Sequence, residues 1–395
     1  MRKAIWLITG GAMQYIVAKK IKESGFALIL SDRNDQAICV PLADQFYQID
    51  TFDQSSHLHA CEEAKKKFDI VAVMTFASDC HLTVSIVSAY LKLHGITSDI
   101  SMNCRDKIKT RQTLTRAGLY QPVYYQTQHY NDAILFLKSN PQKIFVLKAS
   151  DSSGSRGFQV LSSKFELTQT QFDYTKHHSS RGIVIIEERL IPDKTQISEA
   201  SVETIWVDGK MYWLNWVDRI FSCDLSFFPT LKMPYSLADG IEIGHVNPAA
   251  RDFHTKKTVE KMILQAGTAL NMHLQPGAHI LKADIYFSTN GPVVLELTPR
   301  SSGGWDSSGS SPERGADIAG GIIHMALKKP FNLEAWYRYF HYHDAQRTAV
   351  VLSTIPENAM DCIGRQFTLT SGYEDVNQLI EKASQQLEAE NYVSI

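Results

Sequence analysis

His279-Ile280-Leu281-Lys282-Ala283-Asp284-Ile285-Tyr286-Phe287 is followed by Ser288-Thr289-Asn290-Gly291 and then by Pro292-Val293-Val294-Leu295-Glu296-Leu297-Thr298-Pro299-Arg300-Ser301-Ser302-Gly303-Gly304. Two apolar runs, each carrying one carboxylate, flank four turn-forming residues. That pattern predicts a β-hairpin whose turn accepts positive φ. On adjacent strands Asp284 and Glu296 can face each other, and two hard oxygen ligands so placed suit Mg²⁺. Arg300, just beyond the second strand, suits a phosphate bridged to that ion. The alternative is a hairpin with two solvated acids, so the rest of the chain has to decide.

The length, 395 residues, exceeds what one small core organises and predicts two or three domains. Acidic and basic residues nearly cancel, 42 against 40, with no long run of either sign. Nucleic acid and membrane surfaces are therefore not the expected partners, and small molecules are. Six scattered cysteines, without a C-x-x-C pair or histidines at zinc spacing, fit reduced thiols and a cytoplasmic location. The apolar run after Met1-Arg2-Lys3 is short for a secretory core and ends in glycines as a strand would, and no stretch is long enough to span a bilayer.

Outward from the hairpin, residues 1 to about 100 alternate buried strands with helices: Ala4–Thr9 before Gly10-Gly11, Phe26–Ser31, Phe46–Ile49, Ile70–Thr75, and a helix over Leu82–Leu93. This is the pattern of a parallel, doubly wound sheet. Gly10-Gly11-Ala12-Met13-Gln14 lacks the G-x-G-x-x-G spacing, so these glycines serve a turn or line a cleft rather than mark a dinucleotide site. A second unit opens at Asp106-Lys107. Within it, strand-ending Lys148 precedes Ala149-Ser150-Asp151-Ser152-Ser153-Gly154-Ser155-Arg156-Gly157. Small residues between two strands expose many backbone N–H groups, and such a concavity binds phosphate oxygens. The buried strand Gly182–Ile186 leads into Glu187-Glu188-Arg189-Leu190, where main-chain groups can meet a flat heterocycle. Glu199 and Glu203 share one face of the strand over Ile197–Val207, and Asp208-Gly209 closes a hairpin with Met211–Val217. A long helix is expected over Ala250–Leu270, another over Ala316–Leu327, and an amphipathic one over Val376–Glu388, beyond an aromatic cluster at Trp336–Tyr342.

Lys107, Lys148, the Ser/Gly loop, Glu187 to Leu190, Glu199, Asp284, Glu296 and Arg300 occur in the order shown by the ATP-grasp superfamily. The resemblance extends to about residue 330. Asp284-Ile285-Tyr286-Phe287, Glu296-Leu297-Thr298-Pro299-Arg300 and Glu199-Ala200-Ser201-Val202-Glu203, with Gly244-His245-Val246-Asn247-Pro248, look most like the carboxylate–amine ligases that join amino acids. The resemblance implies a Rossmann-like pre-ATP-grasp domain at 1–103, of α/β class, followed by a two-lobed α+β ATP-grasp domain. Its N-terminal lobe would span 104–190 and its C-terminal lobe, with the metal site, 191–330. A small α/β subdomain would follow at 331–395.

It also implies roles. Lys148 and Lys107 would contact phosphates, and the loop carrying Ser153, Gly154, Ser155 and Gly157 would close over them. Glu187, Glu188 and Leu190 would read adenine, and Glu199 the ribose. Asp284, Glu296 and Thr298 would hold Mg²⁺, with Mn²⁺ as a substitute. Arg300, Arg156 and Arg219 would serve the acyl-phosphate and the substrate carboxylate. Substrates would be a small-molecule carboxylate and an amine, and a homodimer is one assembly the resemblance allows. Thr298 stands where the family usually has Asn, which puts a second metal position in doubt. A bicarbonate-using enzyme of the biotin-carboxylase or purine-pathway type, and an ATP-binding sensor without ligase activity, remain as alternatives.

Overall fold

The computed structural model describes residues 1–161, 167–231, 240–330, 334, 347–355 and 366–389. The aromatic cluster at 336–342 and Cys362 lie outside the described residues. The first sheet contains β1 (Arg2–Ile8), β2 (Ala27–Asp32), β3 (Gln45–Gln48) and β4 (Phe68–Met74), all parallel, in the order β3-β2-β1-β4. Ala4 to Ile8 are fully buried because both faces of the sheet are covered, which is why β1 reads as a continuous apolar run. On one face Trp6 and Ile8 pack with Ala60 and Val87. On the other, Ile5 and Leu7 share a core with Ile318 and Ile322, and with Ile205, Leu214 and Ile280 from the far end of the chain.

The second sheet is antiparallel, in the order β5-β8-β6-β7: β5 (Tyr124–Thr127), β6 (Phe145–Ala149), β7 (Gln159–Val160) and β8 (Val184–Glu188). Its apolar side packs on the helices Tyr130–Ser139 and Gln169–His177 through Leu137, Phe145, Phe172 and Ile186.

The third sheet has seven antiparallel strands in the order β13-β12-β9-β10-β11-β14-β15. They are β9 (Glu199–Val207), β10 (Lys210–Ile220), β11 (Gly244–Asn247), β12 (Ala278–Ser288), β13 (Gly291–Thr298), β14 (Thr348–Ser353) and β15 (Phe367–Gly372). The β9–β10 turn takes φ of 45° at Asp208 and 82° at Gly209, and a Cβ at Gly209 would lie 2.3 Å from the His273 carbonyl, so only glycine fits. In the β12–β13 turn Gly291 alone takes a left-handed φ, 100°; the other three turn residues do not.

Side chains alternate across this sheet. One face carries Ala200, Val202 and Trp206 with Leu281, Ala283 and Ile285, packed against Val259, Ile263 and Ala266 of the helix Phe253–Ala269. The opposite face carries Glu199, Ser201 and Glu203 beside Lys282, Asp284 and Tyr286, with Asn215, Val217 and Arg219 on the other side. The described strands within 331–395 join the large sheet. β14 pairs with β11 and β15 with β14, so these strands extend the large sheet, whose edge β11 would otherwise stay unpaired. No helix among the described residues is long and apolar enough to cross a membrane.

Candidate active site

Between the polar face of the large sheet and the end of the second sheet lies a cleft of about 530 Å³. Lys107, Lys148, Ser153, Gly154, Ser155, Arg156, Glu187, Glu188, Leu190, Glu199, Arg219, Asp284, Glu296 and Arg300 all line it. Of the residues singled out in the sequence, Gly157 and Thr298 do not. Gly157 ends the loop at φ 74°, and a Cβ there would meet His178 at 2.9 Å, so its role is to let the loop turn back. Thr298 pairs with Lys282 two positions along the ladder from the Asp284–Glu296 pair and is buried.

The floor is the β12–β13 ladder. Asp284 and Glu296 are direct cross-strand partners, and one residue later a bulge at Leu295 shifts the register. Lys282 Nζ lies 2.6 Å from Asp284 Oδ2, and Arg219 Nη1 lies 3.3 Å from Asp284 Oδ1. That second oxygen is buried without a hydrogen-bond partner, because the guanidinium is near enough to attract it but is not aligned with it. Lys107 Nζ lies 3.5 Å from Glu296 Oε1 and donates to the Ser152 carbonyl of the loop above. Among the described residues no group of three or more His, Cys, Asp or Glu side chains is arranged to hold a metal ion.

Arg219 does not stand open to a substrate carboxylate. It bonds Glu199 Oε1 at 2.7 Å and Glu242 Oε2, with Asp284 as a third acid. Burial alone would lower its pKa, but Glu242, Asp284 and Glu199 outweigh that and raise it. Glu199 in turn is pushed up by burial and by Asp284 and Glu242, against the pull of Arg219.

The roof is held by a buried ion cluster. Arg111 and Glu187 are each 1% exposed, with Nε–Oε1 at 2.7 Å, and Lys148 Nζ sits 2.5 Å from Glu187 Oε2. Burial would raise the Glu187 carboxyl, yet Arg111 and Lys148 hold it well below the usual carboxylate range. Glu187 is thus the anchor that aims Lys148, with Oε1 accepting from Arg111 Nε and Oε2 from Arg111 Nη2 and Lys148 Nζ. The Glu188 N–H is likewise committed, to the Val123 carbonyl at 2.8 Å.

The Ser/Gly loop between β6 and β7 is folded on itself. Arg156 Nε and Nη2 donate to the Ser153 carbonyl and hydroxyl, both at 2.9 Å. Ser155, at φ 60°, donates through Oγ to the Gly240 carbonyl at 2.6 Å, joining the loop to the large-sheet side of the cleft. At the far end, Arg300 Nη2 lies 2.5 Å from Asp79 Oδ1, an acid that follows β4. Burial works against the Asp79 charge, but Arg300 keeps the carboxyl well below its ordinary range.

Four further residues that line the cleft escaped the sequence reading. Arg111 is one helical turn from Lys107 and so shares its face, Lys282 is two strand positions from Asp284, Asp79 follows the end of a parallel strand, and Glu242 precedes β11. The first three had spacing signals; Glu242 had none. Beneath them, Glu203 accepts from the Ser302 N–H at 2.7 Å and Ser307 Oγ at 3.0 Å, while Asp306 accepts from Asn215 and Ser311. Burial, then the charge of Asp306, pushes the Glu203 carboxyl upward.

Three sheets in this order, with a cleft between the second and third, form a fold shared with solved ligase structures. No family model matches the sequence. Over 162 residues the chain is 25% identical to the phosphoribosylamine–glycine ligase of Methanocella arvoryzae, a match covering 37% of this chain and 36% of that protein's length. Among solved structures it is similar to the L-amino acid ligase from Bacillus licheniformis, with TM-score 0.72 and 17% identity over 97% of this chain and 98% of the other. It is also similar to the phosphoribosylglycinamide synthetase from Anaerococcus prevotii, with TM-score 0.63 and 16% identity over 89% and 81%. A third is the N5-carboxyaminoimidazole synthetase from Staphylococcus aureus complexed with ADP, with TM-score 0.65 and 13% identity over 90% and 82%.

Proposed function

We propose that this protein is an ATP-dependent ligase that activates a small carboxylate as an acyl-phosphate and passes the acyl group to an amine. The observation that carries this reading is the placement of Asp284 and Glu296 as cross-strand partners in the same cleft as Lys148 and the Ser152–Gly157 loop. The likeness in fold to ligases, one of them solved with ADP, supports it.

The floor fits a hard divalent cation such as Mg²⁺. Two opposed carboxylates supply oxygen, and Asp284 Oδ1 is buried with no hydrogen bond to satisfy it. Asp284 and Glu296 would hold the ion, which when bound offsets charge on the triphosphate. Lys148, aimed by Glu187, and Lys107, held between the loop and Glu296, would bind phosphate oxygens. Backbone N–H groups of residues 152–157 would cover the terminal phosphate, with Ser155 latched to Gly240 so that water is excluded. The Glu188 carbonyl and Leu190 at the end of β8 would meet the adenine.

The chemistry balances in two displacements. A substrate carboxylate oxygen bonds to the γ-phosphorus as the bond to the ADP oxygen breaks. An amine nitrogen then bonds to the acyl carbon as the carbon–oxygen bond to phosphate breaks, and the surplus proton on nitrogen leaves to solvent or to a neighbouring carboxylate. Arg300, fixed by Asp79, would neutralise the acyl-phosphate. The test is phosphate release from ATP and Mg²⁺ with pools of amino acids. Release that requires both an acid and an amine is expected. Release with bicarbonate alone would reassign the substrate, and nucleotide binding without release from any pool would remove the ligase reading.

A further inference from the structure

The charge arrangement on the cleft floor bears on how many metal ions the nucleotide brings with it. Lys282 points to the same side of β12 as Asp284, with Thr298 as its partner on β13 and Glu203 as its partner on β9. It is only 6% exposed, and its Nζ sits 2.6 Å from Asp284 Oδ2. Burying an ammonium is costly unless a partner compensates, so the pair is a built feature rather than a solvated contact. Arg219, itself ringed by Glu199 and Glu242, stands 3.3 Å from the other oxygen of Asp284. Both oxygens of this acid therefore face fixed cations. Glu296 has one cation, Lys107, at the longer distance of 3.5 Å, and its side chain is 34% exposed to the cleft.

The two acids are thus unequal. A divalent ion drawn to Glu296 can reach Oδ1 of Asp284, which carries no hydrogen bond and whose neighbouring guanidinium is itself neutralised by Glu199 and Glu242. An ion on the Lys282 side of Asp284 would stand against an ammonium at close range. The protein oxygens flanking Lys282 there are the neutral hydroxyl of Thr298, which adds no charge to offset that repulsion, and those of Glu203, which already accept from Ser302, Ser307 and Asn215.

We propose that Lys282 is a built-in cation that takes the place of a second metal ion, so that the nucleotide binds this chain with one divalent ion, held on the Glu296 side. The inference rests on the nucleotide reading given above. It assigns Thr298 a meaning as well: with an ammonium opposite, that position needs no strong metal ligand.

Native mass spectrometry of the full chain with AMP-PNP and Mn²⁺ counts ions directly, without turnover. The wild-type complex is expected to carry one Mn²⁺ per bound AMP-PNP. Lys282→Gln and Lys282→Met are each expected to raise the count to two, and Lys282→Arg to keep it at one. Two ions on the wild type would overturn the proposal whatever the variants do. A count of one in folded Lys282→Gln or Lys282→Met would overturn it too. Failure of the wild type to bind AMP-PNP at all is a different result, because it would overturn the nucleotide reading on which the proposal stands.

Discussion

Arg111→Ala should destabilise the fold and loosen the nucleotide cleft together, because one guanidinium holds both walls. Its Nε and Nη2 bind Glu187 at 2.7 and 3.3 Å, while Nη1 donates to the Leu295 carbonyl at 2.8 Å and the Val294 carbonyl at 3.4 Å. Removing one partner of a buried ion pair costs about 3–5 kcal/mol, since the other charge stays buried. Lys148 remains 2.5 Å from Glu187 and offsets part of this, bringing that share to about 3 kcal/mol. The carbonyls at the β13 bulge lose their donor, adding about 1 kcal/mol. The total, about 4 kcal/mol, should appear in urea unfolding as a lower midpoint at unchanged slope. Because Leu295 adjoins Glu296, affinity for ATP with Mg²⁺ should fall in the same variant. Replacing both residues, Arg111→Met with Glu187→Met, should recover most of the stability but not the affinity. A loss below about 1 kcal/mol in Arg111→Ala would refute the reasoning, since it would mean that Glu187 is compensated without Arg111.

Three further outcomes follow from the same geometry. Lys148→Ala removes a charge-assisted donor and should weaken ATP binding about 10- to 100-fold by calorimetry; an unchanged Kd would place the phosphates elsewhere. Ser155→Ala breaks the bond to Gly240 and should speed amide exchange across residues 152–157 while leaving thermal stability within about 1 kcal/mol; unchanged exchange would show that the latch does not hold the loop. Glu203→Gln concerns pH. The folded chain raises the Glu203 carboxyl through burial and the charge of Asp306, so the folded state binds a proton that the unfolded state has released. That group's contribution is present at low pH and is lost as pH rises from about 5 to about 8. The Gln variant should show a smaller fall in Tm over that interval, and an equal fall would remove Glu203 as its source.

The parallel sheet was legible because burial on both faces leaves an unbroken apolar run, as at Ala4–Ile8. The cleft floor was legible only in part: alternation placed Asp284 and Glu296 on adjacent strands, but an unbroken register from Ser288–Gly291 would set Leu295 opposite Asp284, and it is the bulge at Leu295 that brings Glu296 into line. What spacing does not carry is competition among charges. Arg219 and Glu187 each have the residue type expected of a substrate-facing group, yet both are engaged by neighbours distant in sequence, Glu242 and Arg111. Nor does alternation reveal which sheet a late strand joins. β14 pairs with β11, about a hundred residues upstream, and β15 with β14.

The claim on which the account depends is that ATP with Mg²⁺ lies between the Ser/Gly loop and the Asp284–Glu296 ladder. Hydrogen–deuterium exchange with and without ATP and Mg²⁺ tests it across the whole chain at once. The account predicts slower exchange over Lys148–Gly157, Glu188–Leu190 and Leu295–Glu296. Protection confined to Gly10-Gly11 and the end of β1, with those three stretches unchanged, would contradict it.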